Sequence, residues 1–119
     1  MIFIVDDDPV HNLITTQLLK NVNLGEKVLI FNNGEEVLKS LKEGVQPSVI
    51  LLDINMPIMN GWEFLEEYTK FKTQAEVHVI TSSSNDYDLA RANEFESVIG
   101  YYTKPINKDT IKSIFKLSQ

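Results

Sequence analysis

The chain has 119 residues, enough for one domain and too few for two of ordinary size. Hydrophobic residues make up 43% of it, so it can bury a core and is not a disordered tail. Eleven Lys and Arg stand against 17 Asp and Glu, for a net charge of −6. With Arg91 the sole arginine, this balance argues against sequence-independent nucleic-acid binding, and the absence of cysteine excludes disulfides, Cys-based zinc sites and thiol catalysis. Met1–Val5 is apolar but short and has no basic residues before it, so it is not a signal peptide. No apolar run approaches the ~20 residues of a membrane helix. Together these features predict a cytoplasmic protein with no membrane contact.

Ile2–Val5 reads as a first strand, with Asp6, Asp7 and Asp8 directly after it. Pro9 is tolerated in a first helical turn, and Asp8 beside it suits an N-cap. Val10, Leu13, Ile14 and Leu18 then share one face, the kind of stripe by which a helix docks on a core. Lys27–Phe31 is a second strand, ending at Asn32 and Asn33. Gly34–Glu43 is a helix presenting Val37, Leu38 and Leu41. Val49–Asp53 is a third strand that ends on a carboxylate. Gly61–Lys72 presents Phe64, Leu65, Tyr68 and Phe71. Val77–Thr81 is a fourth strand. Asp86–Phe95 has the weakest stripe, Leu89, Ala90 and Asn93, with Asp86 as its expected N-cap. Val98–Thr103 is a fifth strand, running into Lys104, and Lys108–Leu117 presents Ile111, Ile114 and Phe115.

The order βαβαβαβαβα implies a parallel sheet with right-handed crossovers and helices on both faces. Four of the strands are dense in Val, Ile and Phe with little alternation, as in sheets covered on both sides. In such folds ligands sit beyond the C-terminal strand ends. That directs attention to Asp6–Asp8, Asn32 and Asn33, Asp53, Thr81 and Lys104.

Asp6 and Asp7 follow the first strand and Asp53 ends the third. If these strands are neighbours they lie ~4.8 Å apart. Two carboxylates repel by about 4 kcal/mol at ~4 Å and an effective dielectric of 20. A divalent cation relieves this. Oxygen ligands without Cys or a local His favour a hard ion such as Mg²⁺. Asp53 would then be either a metal ligand alone or a nucleophile that becomes an acyl phosphate. The second role needs cations and donors for the phosphoryl oxygens. Lys104 and the hydroxyl of Thr81, on the same predicted sheet edge, are the available groups.

The arrangement resembles the receiver domain of two-component response regulators, including the stand-alone chemotaxis receiver, over the whole chain, residues 1–119. The resemblance rests on Ile4-Val5-Asp6-Asp7-Asp8, on Leu51-Leu52-Asp53-Ile54-Asn55-Met56-Pro57 with Asn60-Gly61, on Val79-Ile80-Thr81-Ser82, and on Gly100-Tyr101-Tyr102-Thr103-Lys104-Pro105. It implies a flavodoxin-like (βα)₅ doubly wound sheet of strand order 2-1-3-4-5. It implies Asp53 as phosphoacceptor, with Asp6, Asp7, Asp53 and the backbone carbonyl of Asn55 around Mg²⁺. Thr81 and Lys104 would contact the phosphoryl group, Lys104-Pro105 would be a cis peptide, and Ser82 would be small to keep the site open. A sensor histidine kinase or histidine phosphotransfer protein would be the donor. On phosphorylation Thr81 would shift and Tyr101 would rotate inward, altering the face built by the fourth helix, fifth strand and fifth helix. Ser83 and Asn55 would tune phosphate lifetime. The chain would be a switch rather than an enzyme, monomeric or dimeric on phosphorylation, with a downstream protein as target.

Two features depart from the family. Phe95-Glu96-Ser97-Val98 replaces a common Gly-Ala pair, and the path from Thr81 to Lys104 is one residue longer than in the chemotaxis receiver. Both fall on the output side. Elsewhere, His11 reads as a solvated histidine near the surface where a donor would dock. His78 reads as a hydrogen-bonded or edge histidine, and Trp62 as partly exposed packing. The rival enzyme reading is a phosphatase of the haloacid-dehalogenase type, with Asp6 as nucleophile and Asp8 as general acid. The rival binding reading is a receiver-fold adaptor that is never phosphorylated.

Overall fold

The computed structural model describes residues 1–82 and 85–117. Strands β1 (Ile2–Val5), β2 (Val28–Phe31), β3 (Val49–Leu52), β4 (Glu76–Thr81) and β5 (Val98–Thr103) alternate with five helices. These are α1 (Pro9–Asn21), α2 (Gly34–Lys42), α3 (Gly61–Tyr68), α4 (Asp86–Ala92) and α5 (Lys108–Phe115). The strands form one parallel sheet in the order β2-β1-β3-β4-β5, the flavodoxin-like doubly wound arrangement. Successive side chains point to opposite faces. Phe3, Val5, Ile50 and Leu52 therefore enter a core shared with Val37, Phe64 and Leu65 of α2 and α3. Ile2, Ile4, Val49 and Leu51 enter a second core with Leu19 of α1 and Ile111 and Ile114 of α5. β1 and β3 are buried throughout, whereas the outer strands β2 and β5 are half exposed. Among the described residues no helix is long and apolar enough to cross a membrane.

Helix α1 is rotated relative to its sequence pattern. Of the expected stripe only Leu18 packs on the second core; Val10 (65% exposed), Leu13 (70%) and Ile14 (41%) face outward, while His11, Asn12, Thr15 and Leu19 are buried. The rotation is set at the first turn. Asp8 caps the helix by accepting from the backbone N–H groups of Val10 and His11. Asn12 Nδ2 donates to the carbonyl of Asp6 at 2.9 Å. At 3.6 residues per turn, these anchors decide which side of the whole helix meets the sheet.

Four further readings are corrected. His11 is buried rather than solvated. His78 is neither at an edge nor hydrogen-bonded. β4 lies between β3 and β5, and among the described residues neither ring nitrogen has a hydrogen-bond partner, a Glu76 carboxylate oxygen standing 3.8 Å away. Trp62 is buried, under the Arg91 guanidinium (4.7 Å to the ring centroid) and stacked on Phe95 (6.4 Å). The cap of α4 is Asn85 rather than Asp86, its side chain accepting from Asp88 N–H at 2.8 Å.

Candidate functional site

The ladder continues one residue beyond two buried strands. Asp6 N–H donates to the Phe31 carbonyl and Asp53 N–H to the Val5 carbonyl, each at 2.9 Å. These bonds carry both carboxylates to the same sheet edge. Asp6 and Asp53 retain only 3% and 5% exposure, and Asp7 faces solvent. One carboxylate oxygen from each of Asp6, Asp7 and Asp53 lies within 4.8 Å of the others. Lys104 reaches into the group from the end of β5. Its Nζ is 2.8 Å from Asp6 Oδ2 and 3.5 Å from Asp53 Oδ2. Its backbone N–H donates to the Thr81 carbonyl at 2.9 Å, and the Lys104–Pro105 peptide is cis. Thr81 is buried at the end of β4, and Asn55 N–H donates to Asp53 Oδ1 at 3.4 Å.

Gly61 fixes the floor of the site. Its N–H donates to the Ile54 carbonyl at 2.9 Å. A Cβ there would meet the Asp53 carbonyl oxygen at 2.7 Å and Ile54 Cα at 2.8 Å, both backbone atoms. Only glycine lets the start of α3 pack this closely behind Asp53.

The electrostatics are unbalanced. Burial, and then the charge of Asp6, push the Asp53 carboxyl up to about 6, against the opposing pull of Lys104 and the Asn55 N–H. For Asp6, burial also pushes upward, but hydrogen bonds from His11, Lys104 and the Asp8 N–H outweigh it and hold the group below its usual range. Burial pushes Lys104 down, and its two carboxylate partners more than reverse this. Three carboxylates thus face one ammonium, and Asp53 bears the unmatched charge. An all-oxygen donor set with excess negative charge and one solvent-facing member fits a hard divalent cation.

Asp6, Asp7, Asp53, Asn55 and Lys104 therefore come together, with Thr81 bound to the Lys104 backbone. Tyr101 is half-buried against the first core, its hydroxyl pKa raised by burial and then by Asp88 of α4. Ser82 is exposed, and Ser83 lies outside the described residues. Asp8 is engaged as the cap of α1, which leaves it badly placed as a general acid. Sequence reasoning missed His11 and Asn12, which hold the Asp6 carboxylate and carbonyl. Their signal was position: polar residues one helical turn beyond an acidic strand end.

Residues 2–116 match the family model described as the response regulator receiver domain. The sensor histidine kinase CheAY of Helicobacter pylori is 34% identical over 99% of this chain, which spans 15% of that protein's length. Protein PilH of Pseudomonas aeruginosa is 30% identical over 92% of this chain and 89% of its own. A crystal structure of a two-component response regulator from Cytophaga hutchinsonii superposes with a TM-score of 0.87 at 26% identity, covering 97% of this chain and 92% of that one.

Proposed function

Since this chain belongs to the response regulator receiver family, we propose that it accepts a phosphoryl group on Asp53 from a phosphohistidine on a kinase or phosphotransfer protein. The observation that carries this reading is the Asp53 carboxylate itself. It is buried at a strand end, within reach of Lys104, and burdened with negative charge that the fold leaves unmatched.

In the transfer, an Asp53 carboxylate oxygen forms the new P–O bond as the P–N bond to the donor imidazole breaks, and the donor nitrogen keeps the electron pair. Lys104 offers its ammonium to one phosphoryl oxygen, and Thr81 offers its hydroxyl to another. Ser82 is small enough to leave the approach open. Asp6, Asp7, Asp53 and the Asn55 carbonyl are the groups that would hold Mg²⁺. Bound there, the ion supplies charge neutralisation for the carboxylates and for the incoming phosphoryl oxygens. Asn55, exposed at the rim, is placed to influence how long the phosphoryl group survives.

The outward stripe of α1 supports a protein donor. Val10, Leu13 and Ile14 are exposed on the helix that begins three residues after Asp6, so a helical partner seated on them would bring its histidine near the acids. Output is proposed through Tyr101 of β5, which packs on the core that includes Ala92 of α4; Tyr87 and Leu89 of α4 and Ile99 of β5 are exposed. The acidic charge, the absence of cysteine and the short helices support a cytoplasmic switch acting on another protein, with neither nucleic acid nor membrane as its partner. Residues 1–119 are proposed as one receiver unit, a monomer or a dimer formed on phosphorylation.

The test is intact-mass measurement after incubation with acetyl phosphate, with Mg²⁺ or with EDTA. One phosphoryl group is expected on the parent with Mg²⁺ only, and none on Asp53→Asn. Equal labelling of Asp53→Asn, or labelling indifferent to Mg²⁺, overturns the reading.

A further inference from the structure

We propose that His11 is a positioning residue of the acidic site, its Nδ1–H fixing the Asp6 carboxylate in the orientation that the cation shared with Asp7 and Asp53 requires. This rests on the function proposed above.

Every acceptor of Asp6 is engaged. Oδ1 takes the Asp8 N–H at 2.9 Å, and the backbone carbonyl takes Asn12 Nδ2 at 2.9 Å. Oδ2 takes both Lys104 Nζ at 2.8 Å and His11 Nδ1 at 3.1 Å. An ionised carboxylate only accepts, so the hydrogen of that last contact sits on the imidazole. His11 Nε2 is buried and without a hydrogen-bond partner among the described residues. A bare lone pair there is cheaper than an unpaired N–H, which favours the same tautomer, with the hydrogen on Nδ1.

The two donors on Oδ2 are not equivalent. Lys104 is divided between Asp6 and Asp53, and it is the ammonium an incoming phosphoryl group would draw on. The His11 ring has Asp6 as its only hydrogen-bond partner among the described residues, so its hold persists when Lys104 is engaged elsewhere. Packing alone does not account for the residue. The helix puts Val10, Leu13 and Ile14 in water while burying His11, Asn12 and Thr15, each with a polar atom unpartnered among the described residues. A core-facing site on an amphipathic helix ordinarily takes an apolar side chain. Here the buried polar pair His11 and Asn12 grips both the side chain and the backbone of one acid. Groups that orient a cation's ligands in this way typically change affinity by about 10–100-fold when removed.

The experiment is calorimetric titration of the unphosphorylated chain with Mg²⁺ and with Mn²⁺, comparing the parent with His11→Leu, His11→Asn and His11→Gln. Asn places an amide N–H near the position of Nδ1, and Gln places one nearer that of Nε2. The parent should bind. His11→Leu should weaken affinity by about tenfold while its metal-free melting temperature stays at or above that of the parent. His11→Asn should recover most of the affinity and His11→Gln little of it. Side-chain ¹⁵N spectra of the parent should show hydrogen on Nδ1 and a shift of that nitrogen on adding Mg²⁺. Unchanged affinity in His11→Leu, equal weakness of the Asn and Gln variants, or hydrogen on Nε2 would overturn the proposal while leaving the acidic site intact. Failure of the parent itself to bind either ion would remove the site and the proposal together. If His11→Leu does not fold, the contrast between Asn and Gln decides.

Discussion

At the scale of single residues, two buried ionisable groups act on stability with opposite sign. Asp53 has a folded pKa of about 6, above that of an unfolded aspartate. Between about pH 4 and 6 the folded chain therefore holds more protons than the unfolded one, and stability falls as pH rises through that window. Above it the full cost applies, at most about 3 kcal/mol from the size of the shift. Asp53→Asn in EDTA should therefore be more stable than the parent at pH 7–8, with the gap closing toward pH 4. A gap independent of pH in urea titrations would contradict this. His78 works the other way. Burial lowers its pKa first of all; Glu76 opposes this and Lys116 adds to it. The unfolded chain then takes the proton first, and stability is lost as pH falls below about 6.5. Gly100 makes room for the ring, since a Cβ there would meet Nδ1 at 2.6 Å. His78→Leu should reduce the loss of stability between pH 7 and 5.5, measured by the same titrations. An unchanged slope would count against a buried neutral imidazole.

At the scale of elements, the strands and the helix order were legible because dense apolar runs ending in polar residues are local signals. The candidate site was legible for a related reason: strand ends of a parallel sheet share one edge, which gathers Asp6, Asp53 and Lys104, with the Thr81 backbone beside Lys104. The face of α1 was not legible. Counting apolar positions sends Val10, Leu13 and Ile14 inward, but Asp8 as cap and Asn12 on the Asp6 carbonyl fix the rotation from outside the stripe. Trp62 was misjudged because its partner Arg91 lies on another helix, and such pairings leave no local trace. Two predictions belong here. Gly61→Ala pushes a methyl group against the backbone of Asp53 and Ile54. It should cost about 1–3 kcal/mol in denaturant unfolding and slow labelling by acetyl phosphate; wild-type values for both would show that the close approach is unimportant. Leu13→Gln changes a side chain that is 70% exposed. It should leave stability within about 0.5 kcal/mol and acetyl phosphate labelling unchanged, yet slow transfer from a phosphohistidine protein. Equal slowing with both donors would mean that α1 does not serve as a docking face.

At the scale of the molecule, a sheet wound on both sides gives the site two distinct surroundings. On one face α1 brings His11 and Asn12 to the acids and turns its apolar stripe outward. On the other, α3 and α4 meet through Trp62 and Arg91, with Glu66 at 3.9 Å from the guanidinium, and Tyr101 packs beside them. The acidic edge lies between the α1 stripe and the Tyr101 side, the surfaces proposed for entry and output, an arrangement suited to converting a change of charge into a change of contact. The central claim is that Asp53 receives the phosphoryl group, and borohydride reduction of the phosphorylated chain tests it most directly. An aspartyl phosphate is converted to homoserine, and peptide sequencing by mass spectrometry locates it. Homoserine is expected at position 53 alone, dependent on Mg²⁺ during phosphorylation; homoserine at position 6, or at neither, would contradict the assignment of Asp53.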